Sequence, residues 1–375
     1  MFHRTTQTAS AFAALLCTFL CAHSFVSHAA EPVVRPAEDG IFAAFDKHPL
    51  VGLGDQHHQA NELAFYARLV RDPRFAAMVG NVVVEFGGSQ HQDILDRYLE
   101  GNNVPYTELS KVWRNTVAWD PTRMGVGYQT FFAQVREVNL SLPPARRIHV
   151  LLSEPPIDWS VISTHEAYQR IYDQRDAHAA NVIIRQVLDR GKKALVIYGY
   201  GHFFSSPWPP TMPVPSGGTE VLGEIVERSH PGAFYFVMPY GGYKPAGCSA
   251  ALEARMKWPN RVLIAPIRST PLQDALMPPG CMQRVEGIKP ALPAEELARL
   301  EKRYYEIESG VAADALLYLA PAAELMQSPD DPTIWMDTEH YNEIRRRWEI
   351  MNGEALWPLT RTLPLYAAPP QPWIP

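Results

Sequence analysis

The chain has 375 residues, 46% of them hydrophobic and 20% charged, with a net charge of -6 and an isoelectric point of 6.1. That is long enough for one large core, or for a core domain with an appendage. Acidic and basic residues are mixed along it without a basic face, which sets aside nucleic acid and anionic lipid as partners.

The first thirty residues run from a basic start at Arg4 through an apolar stretch, Ala9 to Cys21, to Ser27-His28-Ala29-Ala30. This pattern reads as a secretory signal peptide cut after Ala29 or Ala30. The apolar stretch is too short to anchor the chain in a bilayer. Neither Cys17 nor Cys21 follows the small residue that a lipoprotein signal needs. The mature chain is therefore expected to be exported, periplasmic or secreted, without a stable membrane anchor. Cys248 and Cys281 then remain, either as one disulfide or as two buried thiols.

Residues 31–39 read as a linker, after which strand, turn and helix alternate. Leu50 to Leu53 is a short apolar strand, and Asn61 to Val70 carries apolar residues at helical spacing. Val82-Val83-Val84 is a β-branched run ending on Glu85, which suits a strand buried on both faces. Gly87-Gly88 breaks it, and a helix is expected over His91 to Glu100. A third strand is expected at His149 to Leu152, one long helix from Glu166 to Asp189, and a fourth strand at Ala194 to Tyr198. Gly218 to Ser229 reads as a helix and Ala233 to Met238 as a strand.

Beyond Tyr240 the rhythm loosens. Strands are expected at Arg261 to Pro266 and Ala315 to Leu319, and helices at Pro293 to Ser309 and Thr338 to Asn352. The prolines clustered at Pro207 to Pro215 and near the C-terminus read as loop and tail. The pattern predicts an α/β fold, a three-layer αβα arrangement around a mostly parallel or mixed sheet. Its parts are a signal peptide at 1–30, a core at 31–240 and a less regular extension at 241–375 that completes the sheet or covers the site.

Three strands finish on ionisable residues: Gly54-Asp55-Gln56-His57-His58, Glu85-Phe86-Gly87-Gly88, and Tyr198-Gly199-Tyr200-Gly201-His202. Ligands of open α/β sheets gather at the carboxyl ends of strands. A carboxylate ending a buried strand must be paired or hydrogen-bonded, and such groups have shifted pKa values. Asp55, His58, Glu85 and His202 are accordingly the candidate catalytic residues, with His57 as a bystander pointing elsewhere. Asp158, after the third strand, is a candidate substrate contact or a turn former. Trp113, Trp119 and Trp159 read as core, and Arg345-Arg346-Arg347 as a solvated or ion-paired face.

These blocks resemble a superfamily that includes the erythromycin esterases, the ChaN-type haem-uptake proteins and the TraB and Tiki proteins, with most likeness to the esterase branch. The first block is similar to that branch's Gly-Glu-X-X-His, with Glu62 at the matching distance and Asp55 where the family has glutamate. Val84-Glu85 with Asp96-Arg97-Tyr98-Leu99-Glu100-Gly101 resembles the second block. Arg175-Asp176-Ala177-His178-Ala179-Ala180-Asn181 resembles the third, and Val196 to His202 the last. Gly199 stands where the family places a further histidine.

The resemblance implies an esterase-like hydrolase of a small-molecule substrate in which His58 activates water, Asp55 or Glu85 orients it, and His202 and Arg175 hold the oxyanion or substrate. No cofactor is expected under that reading. The Tiki-like alternative is a metal-dependent hydrolase or protease in which His58, Glu85 and His202 bind zinc, manganese or cobalt. The ChaN-like alternative is a non-enzymatic binder of haem or another ligand. No Gly-X-Ser-X-Gly elbow is present.

Overall fold

The computed structural model describes Met1 and residues 31–117, 126–203, 220–241, 246–268, 270–276, 313–329, 331 and 337–352. The segment read as a signal peptide, Trp119, Pro207 to Pro215, Cys281, the helix expected at Pro293 to Ser309 and the proline-rich tail lie outside the described residues. Cys248 is disulfide-bonded.

Eight strands form one mixed sheet: β1 (Val33–Pro36), β2 (Leu50–Asp55), β3 (Asn81–Gly88), β4 (His149–Glu154), β5 (Ala194–Gly199), β6 (Phe234–Pro239), β7 (Val262–Ala265) and β8 (Ala315–Tyr318). Their order is β1-β7-β8-β6-β2-β5-β3-β4. From β8 to β4 every neighbouring pair is parallel, whereas β7 runs antiparallel to both β8 and β1. The strands beyond Tyr240 thus belong to the same sheet as those before it.

Side-chain alternation explains the three layers. On β3, Val82 and Val84 pack on one face with the helices Ala37–Phe45, Ala60–Arg71, Gln92–Leu99 and Val126–Ser141. Val83 packs on the other face with the helices Arg175–Gln186 and Leu222–Ser229. β5 divides in the same way, with Leu195 and Ile197 on the first face and Val196 and Tyr198 on the second. Helices cover both faces, so β2, β3 and β5 are buried along their whole length and carry the near-continuous apolar runs read in the sequence. A smaller cluster joins Trp159, Ile162 and Tyr168 to Met351 of the helix Thr338–Asn352. Arg347 stacks over Trp159 at 5.0 Å, and Glu343 pairs with Arg346 and Arg347. Trp113 is buried in the main core.

Three expectations are corrected. The linker over residues 31–39 contains β1, an edge strand, and the start of the helix Ala37–Phe45. The single helix from Glu166 to Asp189 is two, His165–Tyr172 and Arg175–Gln186. Between them the Gln174 N–H bonds Ile171 O, three residues back, a tightened turn that redirects the chain. The helix expected from Gly218 begins at Leu222.

Among the described residues, no helix is long and apolar enough to cross a membrane.

Candidate functional site

Four adjacent parallel strands, β2, β5, β3 and β4, deliver their carboxyl ends to one edge of the sheet. Asp55 ends β2 opposite Gly199 of β5, and Glu154 ends β4 opposite Gly88 of β3. Glu85 lies within β3, and His202 follows β5 on a 3-10 turn, Tyr200–Phe203. Asp55, Glu85, Glu154, Arg175, Asp176 and His202 are all buried. So dense a set of charges away from water is stable only because its members satisfy one another.

Arg175 holds the buried part together. Its guanidinium donates to Glu85 Oε1 at 2.6 Å and to Glu154 Oε1 at 2.5 Å. The other Glu85 oxygen accepts the Gly199 N–H. Burial opposes the charge on Glu85, but Arg175, His57 and His202 overcome it and hold the carboxyl well below its usual range.

His202 bonds Asp176 through Nδ1 and places Nε2 3.6 Å from Glu85 Oε1. Burial disfavours its cation, yet Asp176 and Glu85 outweigh burial and raise its pKa to about 10. His202 is therefore an imidazolium at neutral pH, a fixed positive charge and not a base.

At the open side stands His57, and here the sequence reading is corrected. His57 Nδ1 lies 2.7 Å from Asp55 Oδ2, and the side chain keeps 41% of its exposure. Asp55 can only accept there, so Nδ1 carries the proton and Nε2 keeps a lone pair in the neutral ring. The ring rests against Gly199, where an added Cβ would come within 3.1 Å of Cε1 and Nε2. Enclosure lowers the pKa of His57, but Glu85 and Asp55 more than compensate and the net shift is upward.

Asp55 is in turn fixed by Tyr128 OH at 2.6 Å and Tyr66 OH at 3.3 Å. Tyr66 also reaches Glu62, whose carboxyl is pushed well above its ordinary value by burial and by Asp55. Burial and these carboxylates likewise keep both tyrosines as phenols.

The His58 ring meets Tyr128 edge-on at 6.0 Å, its backbone N–H donates to Tyr128 OH at 3.4 Å, and its carbonyl accepts the Ser328 N–H. His57 and His58 have φ of 50° and 63°, the left-handed region that such residues seldom occupy. Backbone bonds from Ser328 to His58 and from Ala60 to Met326, with the Gln59–Gln327 bridge, hold the turn in place. Asp158 is exposed and receives the N–H and hydroxyl of Ser160, which makes it a turn former, with no contact to the cluster among the described residues.

Sequence reasoning thus missed His57, Asp176, Glu154, Tyr66 and Tyr128. The Asp-X-His spacing was a usable signal for the first, but the positive φ values that select His57 over His58 leave no mark on composition.

The residues proposed as a metal set do not suit one. Both Glu85 oxygens are engaged, by Arg175 and by the Gly199 N–H, and Asp176 and Glu85 raise the pKa of His202 to about 10, which keeps its ring from offering a lone pair near neutral pH. Among the described residues no group of three or more His, Cys, Asp or Glu is arranged to hold a metal ion.

No family model matches the chain, and no curated protein matches it. Solved structures similar to it include a protein from Bacillus cereus, 12% identical over 54% of this chain and 68% of that one, with a TM-score of 0.36. A succinoglycan biosynthesis protein is 10% identical over 56% and 70%, with a TM-score of 0.40. ChaN of Campylobacter jejuni, solved with cofacially bound haem, is 15% identical over 54% and 85%, with a TM-score of 0.33. At these scores the likeness assigns no residue a role.

Proposed function

We propose that the protein is an exported hydrolase that cleaves a small-molecule ester or related bond with water activated by His57. The observation that carries this reading is the 2.7 Å bond from His57 Nδ1 to buried Asp55 beneath a half-exposed ring. An imidazole so held has one tautomer and one orientation, which is what a general base needs. Nε2 takes the proton of a water molecule, the hydroxide adds to the carbonyl carbon, the acyl C–O bond breaks, and the imidazolium returns the proton to the leaving alcohol. Asp55 stabilises the imidazolium that forms, and Tyr128 and Tyr66 keep Asp55 in place. Glu85 adds negative charge close to the same ring.

Arg175 and His202 play a different part from the one first expected. Their charges are met by Glu85, Glu154 and Asp176, so they fix the floor of the site and are not free to grip a substrate.

The test is hydrolysis of a panel of activated esters and lactones by the mature protein, by His57→Gln and by His58→Ala. His57→Gln is expected to lose most of the rate and His58→Ala much less. Wild-type hydrolysis by His57→Gln would overturn the reading.

A further inference from the structure

A second constellation lies on the same sheet edge and takes no part in the chemistry of His57. β3 ends at Gly87-Gly88, and Ser89 opens the 3-10 turn Ser89–His91 that leads directly into the helix Gln92–Leu99. Close packing requires a glycine at 88, where a Cβ would fall 2.5 Å from the backbone Asn115 O, and leaves little room at Gly87, where one would fall 2.3 Å from a Leu152 methyl. The result is a sharp strand-to-helix turn that lifts Ser89 out of the buried strand to a half-buried position. Ser89 Oγ sits 3.1 Å from His178 Nε2. His178 is half-buried on the helix Arg175–Gln186, one turn beyond Arg175, and burial lowers its pKa, so its ring is neutral and able to accept a proton.

A serine at a strand-turn-helix bend, bonded to a neutral imidazole and reachable from solvent, has the parts of an activated nucleophile without the Gly-X-Ser-X-Gly sequence. We propose that Ser89 and His178 form a serine-nucleophile centre that accepts acyl groups from carboxylic esters. His178 Nε2 takes the Ser89 hydroxyl proton while Oγ forms a bond to the carbonyl carbon. The ester C–O bond then breaks, and the leaving alcohol recovers that proton. The step ends at the acyl-enzyme on Ser89, with the alcohol released. This centre does not depend on the His57 reading, because its covalent adduct is read separately from turnover.

The experiment is labelling of the full mature chain with a fluorophosphonate probe, followed by intact mass and peptide mapping. The fluorophosphonate transfers its phosphonyl group to Oγ with loss of fluoride, and the proton passes to His178. The expected result is one adduct per chain, on Ser89. It is absent in Ser89→Ala and forms about 100-fold more slowly in His178→Gln, with thermal melts confirming that both variants fold. No adduct on Ser89 of the wild-type chain, or an adduct on another residue alone, would overturn the proposal. So would an unchanged labelling rate in folded His178→Gln.

Discussion

The imidazole of His57 occupies the space that a side chain on Gly199 would need, with its Cε1 and Nε2 3.1 Å from the place of a Cβ. Gly199→Ala should push the half-exposed ring aside by a few tenths of an ångström. Small misplacements of a catalytic group are costly, so ester hydrolysis should fall about tenfold. The melting temperature should barely move, and steady-state kinetics beside a thermal melt separates the two effects.

Removal of the base itself is more severe. His57→Gln should lower the hydrolysis rate by about 10²–10⁴. Because Glu85 and Asp55 raise the pKa of His57 against the effect of burial, the active neutral form gains population only above the ordinary value of 6.5. The pH-rate profile should therefore rise with pH through a midpoint above 6.5. Asp55→Asn removes one of the two raising charges and should move that midpoint down.

His202 links stability to pH. Its folded pKa, about 10, exceeds the unfolded value of 6.5. The stability it contributes is complete below 6.5 and is lost as pH climbs from there through 10, by an amount on the order of a few kcal/mol. Glu85 acts in the opposite sense: its lowered pKa gives stability that is present above the ordinary carboxylate value and lost on acidification. Denaturant unfolding at pH 6, 8 and 10 should show a decline across the alkaline range that His202→Gln removes.

Arg175 is the only described cation bonded to both Glu85 and Glu154. Arg175→Met leaves two buried carboxylates without their partner and should cost about 3–5 kcal/mol in a denaturant melt. Adding Glu154→Gln to that variant should restore part of the loss, since one uncompensated charge is gone.

Under the proposed reading the base is an imidazole and both Glu85 oxygens are already engaged by Arg175 and the Gly199 N–H, so turnover is expected without a bound cation. Dialysis against a chelator should leave the rate of the mature protein unchanged, and added zinc or manganese should not raise it.

Much of the sheet was legible because burial writes itself as hydrophobic runs. Val82 to Val84 and Ala194 to Tyr198 stand out as strands buried on both faces, and the glycines after them mark where the chain turns. β1 was not legible, since Val33–Pro36 is an exposed edge strand defined by its pairing with β7, more than two hundred residues away. The break at Asp173-Gln174 was hidden for a similar reason, as the helical periodicity continues across it. In the site, the carboxylates declared themselves by ending apolar strands. The choice between His57 and His58 depends on two left-handed backbone positions fixed by distant residues, and no local pattern records that.

Those distant residues are 326–328. The N–H of Ser328, the carbonyl of Met326 and the bridge at Gln327 hold His58, Ala60 and Gln59, so the turn carrying the base is gripped by chain nearly 270 positions downstream. A nascent chain can lay down β2, β3 and β5 and still lack the hand that sets His57. Catalytic competence should therefore appear late in refolding, after the sheet has formed. Ser328→Pro, which deletes one gripping N–H, should delay the return of hydrolysis more than the return of helical circular dichroism.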